Sequence, residues 1–454
     1  MLNKRVQSNK LTDPNTQGRC VLYWMQHTQR IDQNYALYHA IKKANTLALP
    51  LKVLFVIVPD YKDATTRHYQ FMLEGLKELQ ATFKHMGADF CVETGSFDEV
   101  LASYLKAASV FYLDDAYMPF MRQTKKHWIH EATSLKIPAH QFFSDTVVPV
   151  FQVSQKTEYS ARTIRPKLLK QVDDYLDEVE MPKLKKRVNS SNAFSLEEVM
   201  NTLDVKVLSP VTEYFKGGET AAFDALNQFF DTRLKHYPKG NDPSTAYTSQ
   251  LSPYLHFGML SPVRVYLEAQ HYLDQYPEAT EGFLEQLLVR RELAFNFVWY
   301  HDGFDQFNQM TYGWAYDTMD AHREDARATI YTLDDYLKAS THDAYFNAAM
   351  KEMMFTGYMH NTMRMYWGKK IIEWSKNYES AYETILYLNN HFFLDGRDPV
   401  SYASVAWLFG QHDRAWASRE IFGKMRYMNA NGLKRKYAIE DYVKQMNALK
   451  KPLK

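Results

Sequence analysis

A chain of 454 residues, 46% hydrophobic and 24% charged with a net charge of +1, has the make-up of a globular protein with room for two or three domains. No apolar run approaches the roughly 18 residues needed to span a bilayer, and the amino terminus MLNKRVQSNKLTDPNTQ lacks the apolar core of a secretory signal. The balanced charge excludes nucleic-acid binding by bulk electrostatics, so any such contact must come from a local basic patch.

Residues 1–17 read as a flexible leader. From 18 to 180, short apolar runs alternate with amphipathic stretches. Strands are expected at 20–25, 51–58, 89–93, 110–113 and 140–143, and FMLEGLKELQATFKHM (71–86) repeats Phe71, Leu73, Leu76, Leu79 and Phe83 at helical spacing. Strands separated by helices predict a doubly wound parallel sheet. No GxGxxG follows the first strand, which removes the nicotinamide fingerprint, although such a sheet still offers a ligand site at the carboxyl ends of its strands. The stretch 181–215 opens with MPKLKKRVNSSNAFS, polar and without apolar periodicity, and reads as a linker. Residues 216–454 carry almost only helical patterns. The fold class is thus an α/β domain followed by an all-α domain.

The two cysteines, Cys20 and Cys91, lie outside metal or redox spacings and read as reduced thiols of an intracellular protein. No metal is expected. Aromatic content is high at 15%, and six of the eight tryptophans follow residue 290. A bulky helical core accounts for such clustering, and so does stacking or electron transfer.

Three segments carry chemistry. In TSQLSPYLHFG (248–258), Ser252-Pro253 is a helix start, with Thr248 and Ser249 just upstream. Ordinary capping accounts for these hydroxyls, and so does a pyrophosphate at a helix amino terminus. In GYMHNTMRMYWGKKIIEW (357–374), Asn361, Arg364, Trp367 and Trp374 fall roughly on one helix face. An arginine among Met and Trp needs a buried partner, and Asp395 in LDGRDP (394–399) is the candidate. The pair is either structural or a means of orienting a flavin ring. Between Gly423 and Tyr437, Lys424, Arg426, Lys434, Arg435 and Lys436 occur with no acidic residue.

Taken in order, TSQLSPYLHFG, MHNTMRMYWGKKIIEW, LDGRDP, AWLFGQHDRAW and GKMRYMNANGLKRKY resemble class II cyclobutane pyrimidine dimer photolyases of the photolyase and cryptochrome superfamily. VLYWMQHTQRIDQNYAL (21–37) and EYSARTIRPKLL (158–169) are similar to the same class. The resemblance implies an antenna-type domain over 18–180, whose chromophore the sequence leaves unidentified, and a catalytic helical domain that binds U-shaped FAD. Excited reduced flavin would pass an electron to a dimer flipped out of DNA, and the cyclobutane ring would split. Carried over by residue, the resemblance assigns Thr248, Ser249, Leu251 and Ser252 to the flavin phosphates, with Tyr237, Arg291 and Asn361 as further cofactor contacts. By the same resemblance Arg364 and Asp395 would flank the flavin ring, and Asn389 would lie near its N5. Trp407 and Trp416 would clamp the dimer, and Met365 would belong to its pocket. Trp374 would be the flavin-proximal member and Trp367 the next member of a photoreduction chain. Arg419, Lys424, Arg426, Lys434, Arg435 and Lys436 would grip DNA phosphates. The expected protein is a monomer acting on dimer-containing DNA, in the cytoplasm with the nucleoid or in a eukaryotic nucleus.

Three positions depart from the class. Gln286, in FLEQLLVRRE, replaces the glutamate that hydrogen-bonds the dimer; an amide still donates and accepts, but is no acid. Gln250 replaces an asparagine. Phe346 replaces the outer tryptophan donor and leaves Tyr345 as the neighbouring oxidisable ring. Dimer repair is therefore weighed against a cryptochrome-like photoreceptor and a repurposed FAD redox protein. The absence of a long tail after residue 440 counts against the photoreceptor.

Overall fold

In a computed structural model of the protein, which describes residues 2–189 and 193–451, the apolar runs of the first domain become the centre of a six-stranded sheet. The strands are β1 (Val6–Ser8), β2 (Cys20–Trp24), β3 (Leu51–Ile57), β4 (Asp89–Thr94), β5 (Ala108–Leu113) and β6 (Ala139–Phe142), in the order β1-β6-β5-β2-β3-β4. Every residue of β2 and β5 is buried, because helices cover both faces, and that is why these strands read as unbroken apolar runs. Helices Tyr35–Leu47 and Thr66–Met86 pack on one face and Phe97–Lys106 and Pro119–Ser134 on the other. The chain leaves β2 towards β3 and later returns to its other side as β5. The strand order therefore reverses between β2 and β5, where an α/β sheet opens a crevice.

The amino terminus differs from the expected loose leader. β1 pairs antiparallel with β6, Val6 opposite Phe142, so the sheet is parallel except at this edge. Arg5 is buried, and its guanidinium donates to the carbonyls of Phe143, Thr146, Val147 and Tyr175 at 2.6–3.2 Å. A three-residue polar strand held by one arginine has no apolar periodicity to reveal it.

In the stretch expected as a linker, residues 190–192 lie outside the described residues. The remainder follows the α/β domain: Leu184 and Val199, the latter in helix Leu196–Thr202, join its core, while Val211 and Phe215 join the helical core. No strand follows β6 among the described residues.

Buried polar contacts join the domains. Arg67 donates to the carbonyls of Ser209, Met353, Phe392 and Met354 at 2.6–3.3 Å. Arg30, fully buried, reaches Asp145 Oδ1, Ser144 O and Gly258 O. Gly258 has φ +64°, and a Cβ there would lie 1.8 Å from the His27 carbonyl oxygen, so only glycine allows this approach.

Candidate functional site

The helix Asn361–Trp374 carries the centre of the site. His360 caps it: Nδ1 accepts from Thr362 N at 3.2 Å, while Nε2 meets Gly240 O at 2.7 Å. Thr362 Oγ1 donates to Asn241 O at 2.7 Å, which ties the helix start to the chain just before residues 248–252. One turn in, Arg364 Nε donates to Met359 O at 2.8 Å, and Nη1 and Nη2 meet the two carboxylate oxygens of Asp395 at 2.9 and 3.0 Å. Its guanidinium also lies 4.0 Å from the Phe393 ring centre and 5.4 Å from Tyr358. Asp395 is held by a tight turn, in which a Cβ at Gly396 would come within 2.7 Å of Asn389 O. Asn389 is buried above this turn, its amide donating to Asn390 Oδ1 at 3.0 Å. Met365 is half-buried, and Asn361 is exposed on the first turn, three residues before Arg364.

The 248–252 segment meets this centre through Tyr358, whose hydroxyl is 3.3 Å from Thr248 Oγ1. Helix Ser252–His256 begins after Leu251, and no side chain caps it. Ser252 stands inside the first turn, so its hydroxyl is not spent on the backbone, while Ser249 Oγ accepts only a long bond from Leu251 N at 3.5 Å. Leu251 is buried beneath. Arg233 Nη1 donates to Gln250 Oε1 at 3.2 Å, and its Nε has no partner in the buried interior. Hydroxyls free of capping duty, together with this guanidinium, fit a phosphate group. Sequence reading missed Arg233, which closes a π-helical turn, Phe229–Arg233, that no motif in the sequence announces. Tyr237 packs edge-on against Phe229 and Phe283, with burial raising its phenol pKa.

Arg291 is placed elsewhere. It donates to Asp145 O at 2.7 Å and lines a cavity of about 150 Å³ between the domains. This cavity lies at the carboxyl ends of β2, β3 and β5 and is lined also by His27, Tyr61, His68, His256 and Arg397. His27 is held neutral, its pKa pushed down to about 4 by burial and then by Lys125. Arg397 Nε and Nη2, Gln29 Oε1 and His27 Nδ1 have no hydrogen-bond partner among the described residues. Four orphaned polar atoms around one cavity suit a ligand with polar edges.

Trp407 is half-buried and Trp416 is 38% exposed. The Arg426 guanidinium sits 5.4 Å from the first ring and 4.3 Å from the second, fixed by Asp413 at 2.8 and 3.1 Å. Arg426 is therefore not a free phosphate-binding cation. Folding also brings Glu440 to 3.6 Å from Lys434, an acid that lies beyond the basic run in sequence. Arg419, Lys424, Arg435 and Lys436 are exposed without an ion pair among the described residues.

Gln286 is exposed in a π-helical turn, Glu285–Arg290, inserted before helix Arg291–Tyr300. Such insertions re-aim side chains and concentrate at functional positions. Glu285 is committed elsewhere, paired with Arg165 at 2.7 and 2.9 Å and with Arg290 at 3.2 Å. Trp367 and Trp374 are buried two turns apart, in the reverse of the expected order: the Trp367 ring lies 6.1 Å from that of Phe393, on which Arg364 rests, while Trp374 ends the helix with Phe346 5.2 Å away between ring centres. Tyr345 turns away: its hydroxyl donates to Glu440 at 2.5 Å, and it makes no ring contact with Trp374 among the described residues.

The fold matches a solved bacterial class III photolyase from Agrobacterium tumefaciens with a TM-score of 0.77 at 18% identity, covering 95% of this chain and 87% of that one. A Synechocystis cryptochrome matches with a TM-score of 0.72 at 16% identity over 95% of this chain and 89% of that one. Residues 21–184 match the DNA photolyase family model. The deoxyribodipyrimidine photo-lyase of Methanothermobacter thermautotrophicus is 40% identical over 98% of both chains, and that of Arabidopsis thaliana 37% identical over 94% of this chain and 89% of the relative. The chain belongs to the DNA photolyase family. No helix among the described residues is long and apolar enough to cross a membrane.

Proposed function

We propose that the protein is a light-driven DNA repair lyase that splits cyclobutane pyrimidine dimers, of the class II type, with FAD in the helical domain. The observation that carries this reading is the convergence, through Tyr358, of the uncapped hydroxyls at 248–252 with the Arg364–Asp395 pair. When bound, the flavin supplies the excited electron. The chain's residues do the rest. Thr248, Ser249, Ser252 and Arg233 would hold its phosphates, and the paired Arg364 and Asp395, with the Asn389 amide, would orient its ring. Trp407 and Trp416 stack on the flipped lesion, Gln286 holds it through its amide, and Lys424, Arg435 and Lys436 grip phosphates.

The interdomain cavity suits an antenna chromophore of planar, polar-edged chemistry, with Arg397 reading an acidic group. Names of the full-length relatives support dimer repair over a photoreceptor role. A visible spectrum of purified protein tests the reading, taken before and after blue light, with and without dimer-containing DNA. A reducible flavin and recovery of thymine absorbance are expected. Flavin photoreduction with no recovery on bound dimer DNA would favour the photoreceptor.

A further inference from the structure

The outward face of Trp374 is where this chain lacks an oxidisable tryptophan. Phe346 fills that place, fully buried, and a phenyl ring is too hard to oxidise to pass an electron on. Two other rings touch the same indole: Tyr331, edge-on at 5.4 Å between ring centres, and His342 at 5.1 Å. The backbone reinforces the contact, since Tyr331 N donates to Trp374 O at 3.2 Å. The Tyr331 hydroxyl lies 2.8 Å from His342 Nδ1 and accepts from the His342 backbone N–H at 2.9 Å. With that N–H donating to the phenol oxygen, the hydroxyl proton is left to point at Nδ1, in the tautomer that carries its own proton on Nε2. Tyr331 is half-buried and His342 exposed, so the chain of contacts runs from core to water: indole, phenol, imidazole, solvent.

We propose that Tyr331, with His342 as its proton acceptor, is the outer electron donor of the path through Trp374. This rests on the reading that the helical domain holds a flavin, whose photoexcited state is the oxidant. An electron withdrawn from Trp374 towards that site leaves an indole radical cation. Tyr331 returns one electron to the indole, and its O–H bond breaks as the proton passes to His342 Nδ1. The products are a neutral Trp374, a neutral tyrosyl radical and a His342 imidazolium. An external thiol then donates a hydrogen atom to the phenoxyl oxygen, and the imidazolium releases its proton to water. Phenol oxidation needs this coupled proton movement, because the phenol radical cation is a strong acid. Tyr331 has the base beside it and the indole against it, whereas Tyr345 lacks the ring contact.

The experiment is flash transient absorption of the FAD-loaded protein, in light and heavy water, with electron paramagnetic resonance of illuminated frozen samples. In the natural chain the tryptophan radical should decay into a tyrosyl signal, more slowly in heavy water. Tyr331→Phe, which keeps the ring packing, should remove the tyrosyl signal and the isotope effect. It should also prolong the tryptophan radical by about tenfold, equal to about 1.4 kcal/mol on the barrier. His342→Gln should retain Tyr331 but slow the same step. Tyr345→Phe should change nothing. A tryptophan radical whose decay is the same in natural and Tyr331→Phe proteins overturns this assignment and leaves the flavin reading standing. Absence of any tryptophan radical from flavin-loaded protein overturns the assignment together with the photoreduction path.

Discussion

Arg364 and Asp395 meet as a planar fork on a carboxylate, at 2.9 and 3.0 Å. The two residues come from different parts of the chain, the helix Asn361–Trp374 and the turn after Phe393, and neither charge goes unmatched. Asp395→Asn would leave Arg364 facing a single neutral acceptor. Breaking a fully buried pair costs about 3–5 kcal/mol, and the cost should be smaller here because the Arg364 side chain is 23% exposed. The expected outcome is loss of most bound flavin with a modest drop in urea midpoint. Flavin released by denaturation, counted per protein chain, checks it; stoichiometric flavin in the variant would remove the pair from the cofactor site.

The basic run divides into paired and unpaired members, and the two groups should respond differently. Charge reversal at Arg435 and Lys436 should weaken binding to damaged and undamaged DNA alike, and each lost phosphate contact lowers the salt slope by about 0.9. Trp416→Ala should instead cost about 1–3 kcal/mol, as for a lost base stack, and only on dimer-containing DNA. Titrations of both DNAs across a salt series measure both effects. Equal loss on the two substrates for Trp416→Ala would mean that this indole does not touch the lesion.

On the resemblance to class II photolyases, Gln286 stands where an acid would serve, in a reaction that chiefly needs electron delivery. General acids contribute about 10²–10⁴ when proton transfer limits a step, but ring splitting does not require complete proton transfer. Repair by the natural protein should therefore be measurable, and Gln286→Glu should raise the yield per absorbed photon. Recovery of thymine absorbance with the flavin kept reduced is the assay. No recovery from either protein on bound dimer DNA would count against repair.

Glu352 gives a pH dependence whose sign is fixed. The carboxylate is buried, accepting from Tyr442 Oη at 2.6 Å and from His360 N at 3.2 Å. Burial raises its pKa from 4.5 to about 7 despite these donors. A carboxyl group with a raised folded pKa contributes stability that is fully present below its unfolded pKa and is lost as pH rises through the folded value. Stability should thus fall between about pH 4.5 and pH 7 through this group, by up to a few kcal/mol. Glu352→Gln should flatten that slope, as read from urea midpoints on either side of the window. An unchanged slope would show that another group governs it.

Legibility in the sequence followed the physics of each feature. Strands β2, β3 and β5 were readable because burial on both faces demands unbroken apolar runs. β1 was hidden because Arg5 and β-pairing, rather than apolar residues, hold it. Arg364 advertised a need for a partner, and Asp395 lay in a motif of its own. Arg426 read as one more cation because Asp413 lies well outside its run, and only the fold sets it between Trp407 and Trp416. The contact of Tyr331 and His342 with Trp374 is tertiary, with no periodicity or spacing to announce it.

Arg67 has a consequence for the independence of the two halves. The carbonyls it binds, those of Met353, Met354 and Phe392, end the helices Ala344–Thr356 and Tyr378–Phe392. These are the negative poles of two macrodipoles, where a cation is stabilising, and His68 Nε2 bonds Phe393 O directly after one of them. The α/β half thus supplies the electrostatic cap for helices it does not contain. A helical fragment made alone would fray at both termini, next to the Phe393–Gly396 turn that holds Asp395, and the two halves of the intact chain should melt as one cooperative unit.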